Sequence, residues 1–163
     1  MKKTEKQIEM RNRTSTWFET KIRYEKTMED GLQKKVTEQY VIDALSFSEA
    51  EAKITEEIQA YISGDFAVQA IKRASFKEVF FSDNDADDRW FKAKLQFITI
   101  NERMEKETRS NMLYLVQAAN IDVARKYIKD VMDSAIIDYD IVQLLETPFI
   151  DVYEHCQNIS DND

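Results

Sequence analysis

Two stretches of the sequence combine a tryptophan with basic residues at alternating positions. Aromatic rings stack on nucleobases, and ammonium and guanidinium groups pair with phosphates, so this combination can bind a nucleotide without a glycine-rich loop. We therefore predict a nucleotide-like anion or single-stranded nucleic acid as the ligand. The predicted ligand-binding residues are Trp17, Lys21, Arg23, Trp90, Lys92, Lys94 and Arg109.

The same residues have a structural alternative. Lys21 and Arg23 alternate with Glu19 and Glu25, and charges in this pattern form ordinary cross-strand pairs on a solvated sheet. A pair of tryptophans on a polar face also suits the contact between two copies of a chain. The sequence leaves both hypotheses open.

Other combinations of residues fall short of a catalytic or metal site. Gly31 and Gly64 are the two glycines, and they are too far apart for a Walker loop, a dinucleotide fingerprint or a nucleophile elbow. His155 and Cys156 are single residues of their type and cannot complete a zinc site. Residues 83–94 begin like a calcium loop, but Asp88 stands where the turn needs glycine. We expect no enzymatic activity, no metal and no cofactor.

The composition is that of a folded, acidic protein. The chain has 163 residues, of which 33% are charged and 43% hydrophobic, and its net charge of -8 argues against a protein that wraps duplex nucleic acid. A single cysteine allows no internal disulfide, and the sequence has neither an apolar leader nor an apolar run long enough to span a bilayer. These features predict a cytoplasmic protein without membrane association.

The sequence also repeats itself at a spacing of 73 to 74 residues, as from Trp17 to Trp90 and from Tyr40 to Tyr114. A repeat that keeps residue type, order and spacing predicts an internally duplicated fold. The strongest matches pair Trp17, Phe18, Lys21, Ile22, Tyr40, Ile42 and Ala44 with Trp90, Phe91, Lys94, Leu95, Tyr114, Val116 and Ala118.

Each copy has the pattern of two strands, a helix and two further strands. Strict alternation from residue 17 to 26 predicts a half-buried strand, and Ser48 and Asp122 are predicted to cap the two helices. Ile54 and Ile128 are expected to be equivalent core positions. We predict an α+β fold, with an internally duplicated ββαββ unit and one antiparallel sheet carrying both helices on one face.

This pattern divides the chain into five parts. Residues 1–14 form a basic polar tail, 15–81 the first ββαββ copy, 82–88 an acidic linker, 89–155 the second copy and 156–163 a polar tail. The two copies are expected to form one compact domain with a pseudo-twofold axis.

Two motifs resemble a known family. They are Thr16–Lys21, with the pattern Thr-Trp-Phe-Glu-x-Lys, and Asp88–Lys92, with Asp-Arg-Trp-Phe-Lys. Over residues 15–155 the chain resembles a small uncharacterised domain family of gut bacteria and their phages. The resemblance implies a bacterial or phage setting and transfers no activity, cofactor or site residue.

Taken together, these patterns favour a non-enzymatic binding module. Its expected ligand is an anionic nucleotide or a single strand on the open face of the sheet. The alternative is a structural or protein-interaction protein that uses this face or a sheet edge to bind a partner or a second copy of itself. Catalysis by carboxylate or tyrosine groups ranks third.

Overall fold

The computed structural model of the chain describes residues 8–9 and 15–155. This part of the chain contains two helices, eight longer strands and one strand of two residues. The strands are β1 (Ile8–Glu9), β2 (Thr16–Thr27), β3 (Gln33–Ala44), β4 (Phe66–Arg73), β5 (Glu78–Ser82), β6 (Arg89–Asn101), β7 (Lys106–Ala118), β8 (Asp138–Glu146) and β9 (Phe149–Tyr153). The helices are α1 (Phe47–Gln59) and α2 (Ile121–Met132), so the predicted α+β class is confirmed.

The described residues fall into two compact units. Unit I contains residues 15–74 and 148–155, and unit II contains residues 8–9 and 75–147. The boundaries drawn from the sequence group β5 with the first copy and β9 with the second. In the structure β5 belongs to the sheet of unit II and β9 to the sheet of unit I. Apart from β1, the predicted tails 1–14 and 156–163 lie outside the described residues.

The sheet of unit I has the strand order β4-β2-β3-β9. Strands β2 and β3 form a long antiparallel hairpin, from Thr16 opposite Ala44 to Thr27 opposite Gln33. Gly31 lies in the connecting turn at a φ of 83°, a left-handed conformation that favours a residue without a Cβ atom. Strand β4 pairs antiparallel with β2, whereas β9 pairs parallel with β3.

The sheet of unit II has the strand order β1-β5-β7-β6-β8. Its central hairpin runs from Arg89 opposite Ala118 to Asn101 opposite Lys106. Strand β8 pairs antiparallel with β6, and β5 pairs parallel with β7. The single antiparallel sheet predicted from the sequence is therefore corrected to two mixed sheets. Period-two alternation identifies a strand but does not say which distant strand it pairs with.

Each sheet carries one helix, so the expectation of two helices on one face of a single sheet is also corrected. Helix α1 packs on strands of unit I, and α2 packs on β7 and β8 of unit II. Ile54 of α1 and Ile128 of α2, predicted as equivalent core positions, are both fully buried in the cores of their units. Neither described helix has the length and apolar character needed to cross a bilayer.

Both helices begin slightly earlier than the sequence suggested. Ser46 caps α1 by accepting the backbone N–H of Glu49 at 3.1 Å, and Asn120 caps α2 in the same way. The predicted caps Ser48 and Asp122 lie within the first turns instead. Serine, asparagine and aspartate are about equally strong capping residues, so the residue type alone does not select one cap of each pair.

Candidate ligand-binding site

The tryptophans predicted to form a stacking platform are buried. Trp17 and Trp90 are each 2% exposed, and Trp90 packs edge-on against Phe81 with ring centroids 5.7 Å apart. An indole can stack on a base only if its face is open to the ligand. The expectation that both rings lie open on the sheet surface is therefore wrong. Alternation places them opposite the helix face, but it does not report the long-range packing that buries them.

The basic residues predicted beside the tryptophans are accessible to different degrees. Lys21 and Arg23 are exposed on β2, whereas Lys92 and Lys94 are partly buried on β6. Each pair alternates along its own strand, as the sequence pattern indicated. The structure thus keeps two short rows of cations, one in each unit, without an exposed indole beside either row.

Arg109, the seventh predicted residue, is engaged with neighbours on the hairpin of unit II. Its guanidinium donates to Oε1 of Gln96 at 2.9 Å and lies 3.3 Å from Oε1 of Glu107. Glu107 is exposed, and an exposed ion pair of this kind contributes little to stability. A role for Arg109 in binding stays a prediction.

The helix face of unit I, which is the side of its sheet that packs against α1, carries a polar group that the sequence pattern did not predict. Glu38 follows the alternation of β3 onto the helix face, where it lies opposite the buried Ile22. One carboxylate oxygen accepts the hydroxyl of Tyr24 at 2.8 Å, and the other accepts the hydroxyl of Tyr40 at 2.7 Å. Two phenols therefore hold this partly buried carboxylate in one orientation.

Strand β9 extends this group across the sheet. The ring of Tyr153 stacks on that of Tyr40, with centroids 5.9 Å apart and an interplanar angle of 23°. Asp151 lies directly opposite Tyr40 in the parallel pairing of β3 and β9. Because β9 is distant from the hairpin in sequence, the structure alone brings these side chains to the site.

Residues near the C-terminal end of α1 lie at the edge of this group of side chains, which we call its rim. Glu57, in the last turn of the helix, contacts Nε2 of His155 at 2.5 Å. After burial, the charge of Asp151, the phenol of Tyr61 and the charge of Glu57 raise the pKa of Tyr153. We call the following residues the tyrosine cluster: Tyr24, Glu38, Tyr40, Asp151 and Tyr153, with Glu57, Tyr61 and His155 at the rim.

The phenols of the cluster stay protonated at neutral pH. Burial, followed by the hydrogen bond to Glu38, raises the pKa of Tyr24 to about 12. The same causes raise the pKa of Tyr40, and burial followed by the charge of Asp151 raises the pKa of Tyr153. Burial also raises the pKa of the Asp151 carboxyl. The rings thus act as neutral donors and aromatic surfaces, and negative charge in the cluster comes from its carboxylates.

The corresponding part of unit II is largely apolar. Met112 lies opposite Leu95 in the hairpin of unit II, as Glu38 lies opposite Ile22 in unit I. Phe97, two residues after Leu95, occupies the strand position that Tyr24 has after Ile22. Both Met112 and Phe97 pack against the core of unit II.

One aromatic pair is common to both units. The ring of Phe80 stacks on that of Tyr114 with centroids 5.1 Å apart and an interplanar angle of 24°. Glu78 lies opposite Tyr114 in the parallel pairing, as Asp151 lies opposite Tyr40. The difference between the two sites therefore centres on the hairpin residues Tyr24 and Glu38.

The predicted acidic linker contains a buried carboxylate. Asp87 is 3% exposed and accepts hydrogen bonds from the hydroxyls of Ser82 and Tyr127, the latter at 2.5 Å. Segment 82–88 is therefore packed into unit II at Asp87 rather than solvated throughout. Among the residues that the structure describes, no group of three or more His, Cys, Asp and Glu side chains is arranged to hold a metal ion.

The signal for the cluster was present in the sequence. Glu38 interrupts the apolar face formed by Val36, Tyr40 and Ile42, and a charge on the core face of an alternating strand is uncommon. The alternation of this strand predicted only a core face. Tyr153 and Asp151 had no comparable local signal, because their place beside Tyr40 depends on the pairing of distant strands.

The architecture defines an α+β protein with two hairpin-and-helix sheets and a polar cluster in one of them. A family model described as a domain of unknown function (DUF4494) matches residues 16–155, so the chain belongs to this family. No curated protein and no solved structure matches the chain.

Proposed function

We propose that the chain is a non-enzymatic binding module whose ligand contacts the tyrosine cluster of unit I. The observation that supports this is the carboxylate of Glu38, which Tyr24 and Tyr40 hold on the sheet face that packs against α1. Placing a charged group there carries a desolvation cost, and Met112 shows that the same strand arrangement forms without it. A ligand that uses the carboxylate would explain its presence.

The proposal includes an internal duplication, in which a hairpin, a helix and two further strands occur twice. Matching backbone contacts support it. The carbonyl of Trp17 accepts the N–H of Ala74 at 2.9 Å, and the carbonyl of Trp90 accepts the N–H of Thr147 at 2.8 Å. After duplication one copy could keep a structural interior while the other acquired a binding site.

The anionic ligand expected from the sequence becomes an alternative. Lys21 and Arg23 remain exposed on β2 and favour phosphate binding, but Trp17 and Trp90 are buried and offer no stacking surface. A nucleotide or a single strand would therefore depend mainly on charge, and its binding would weaken steeply with salt.

A second candidate function is association through strand β8. This strand is the last in the sheet of unit II, and it exposes 53% of Val142 and 38% of Leu145. A free edge with exposed apolar side chains favours pairing with another strand. Light scattering tests this function by measuring the molecular mass. The function requires that the wild type is a dimer and that the Val142→Lys variant is a monomer.

The cellular setting also remains a proposal. The single cysteine favours a reducing compartment such as the cytoplasm, and the motifs around Trp17 and Trp90 resemble sequences of gut bacteria and their phages.

Equilibrium dialysis against a small-molecule extract of bacterial cells, followed by native mass spectrometry of the full chain, tests the binding function. We expect an added mass on the wild type and on Glu107→Gln, a matched surface variant of unit II. We expect the added mass to disappear from Glu38→Gln. A wild type that acquires no mass, or a mass that Glu38→Gln retains, would contradict the assignment of the site.

A further inference from the structure

We propose, on the basis of the binding function above, that the tyrosine cluster recognises an organic cation, namely a small molecule with an ammonium or guanidinium group. The cluster has three relevant features, which are its charge, its aromatic surface and its hydrogen-bonding geometry. Each of these features favours a cationic group over an anion or a bare metal ion.

The charge of the cluster is negative. Glu38, Glu57 and Asp151 are its three carboxyl groups, and no lysine or arginine side chain is paired with any of them in the part of the chain that the structure describes. The basic group at the rim is His155, and its Nε2 atom is already engaged with Glu57. An anionic ligand would meet like charge here, whereas a cation would compensate it.

Aromatic rings lie beside the Glu38 carboxylate. Tyr40 and Tyr153 stack on each other, Tyr24 approaches from β2, and Tyr61 is 74% exposed at the rim. The electron-rich faces of such rings attract ammonium and guanidinium groups, and cages of aromatic residues bind alkylated ammonium ions. A carboxylate beside tyrosine rings therefore suits a cation that also has apolar carbon.

The hydrogen bonds orient the carboxylate for a donor. Each oxygen of Glu38 accepts one phenol hydroxyl and retains a further lone pair. An N–H group of the ligand can use this remaining capacity without breaking either existing bond. The cluster lacks the convergent set of oxygen and nitrogen ligands that a metal ion needs, which favours an organic cation.

Calorimetric titration of the full chain tests the ligand class at low salt. The probes are tetramethylammonium, putrescine, arginine and methylguanidinium, with adenosine monophosphate as the anionic comparison. We expect at least one cation to bind the wild type with a Kd below about 10 mM. The Kd of this cation should also be lower than that of adenosine monophosphate. Failure of all four cations at this concentration would overturn the proposal.

Two variants assign the binding to the cluster. Glu38→Gln keeps a side chain of the same shape, in which the amide oxygen accepts one phenol and the amide N–H donates to the oxygen of the other. It should weaken cation binding by about tenfold or more, equal to about 1.4 kcal/mol. Tyr153→Leu removes one aromatic ring and should weaken the binding of tetramethylammonium more than that of the other cations. Tyr114→Phe, at the corresponding position of unit II, is the control and should leave every cation unaffected. Equal binding by Glu38→Gln and the wild type would contradict the proposal.

The two proposals can fail separately. If the wild type acquires a mass from the cell extract through Glu38 but binds none of the four cations, the binding function stands and the cationic class is wrong. If Lys21→Gln and Arg23→Gln abolish binding of a nucleotide while Glu38→Gln has no effect, both assignments to the cluster are wrong. Circular dichroism of each variant shows whether its fold is retained.

Discussion

Units I and II share a strand arrangement but carry different side chains at corresponding positions of their sheets. In unit I, Glu38 and Tyr24 place a hydrogen-bonded carboxylate on the helix face, whereas Met112 and Phe97 fill the related positions of unit II with apolar groups. Because the sheet of unit II forms with apolar groups at these positions, the strand arrangement by itself does not require a polar network there. The comparison separates residues that hold the fold from residues available to a ligand.

The largest expected effect concerns what the units have in common. Ile54 and Ile128 are fully buried in the two cores, and Ile54→Ala and Ile128→Ala should each lower the free energy of unfolding by about 2 to 5 kcal/mol. Urea unfolding provides the measurement. Leu45→Ala is the control, since Leu45 is 68% exposed and its truncation should change stability by less than about 0.5 kcal/mol. A similar effect of all three substitutions would break the assignment of the two cores.

The next effect concerns a hydrogen bond whose acceptor side chain is charged in unit I and neutral in unit II. Asp43 accepts the backbone N–H of His155 at 2.6 Å, and Gln117 accepts that of Ser82 at 2.9 Å. Asp43→Ala should cost about 1 to 3 kcal/mol, because the partly buried N–H of His155 loses a charged acceptor. Gln117→Ala should cost about 1 kcal/mol. The comparison would be wrong if chemical unfolding ranked the two variants in the opposite order.

A smaller effect is expected when unit I receives the residues of unit II. The double substitution Glu38→Met with Tyr24→Phe should change the free energy of unfolding by less than about 1.5 kcal/mol, because apolar residues of similar size replace a polar network. It should also abolish the ligand mass seen after dialysis. The reverse substitution Met112→Glu places a carboxylate without phenol partners in an apolar layer and should destabilise the protein. A double variant that fails to fold would show that the network is structural.

The smallest effect is a dependence on alkaline pH. The pKa of Tyr24 is raised to about 12 from its ordinary value of 10.0, so between these pH values the folded chain retains a proton that the unfolded chain has lost. The contribution of Tyr24 to stability is therefore complete below pH 10.0 and decreases as the pH rises through the range up to about 12.

Tyrosinate absorbance and thermal unfolding across this pH range provide the measurement. Tyr24→Phe should remove one late-ionising phenol and reduce the alkaline loss of stability. Tyr61→Phe is a suitable control, because Tyr61 is 74% exposed and lies at the rim. If the phenol lost in Tyr24→Phe proves to ionise near pH 10.0, its ordinary value, the hydrogen bond to Glu38 is contradicted.

Much of the local structure follows from the sequence alone. Alternation from Trp17 onward places Phe18 and Ile22 on one face of β2, and helical spacing places Ile54 in the core. These patterns depend on neighbours in the chain, which is why the hairpins, the helices and the α+β class were predictable. The position of each helix start was less certain, because Ser46 and Ser48 are both competent caps.

The tertiary structure decided which strands pair, which of the positions predicted to be exposed are buried, and which polar groups come into contact. Strand β5 joins β7 and β9 joins β3 through parallel hydrogen bonds between residues distant in sequence. That pairing carries Tyr153 and Asp151 to Glu38, and long-range packing buries Trp17. The sequence by itself determined the strands, the helices and their apolar faces, because these depend on period and propensity. The sheets and the ligand site depended on the tertiary structure, since strand pairing and burial arise from contacts that no local pattern specifies.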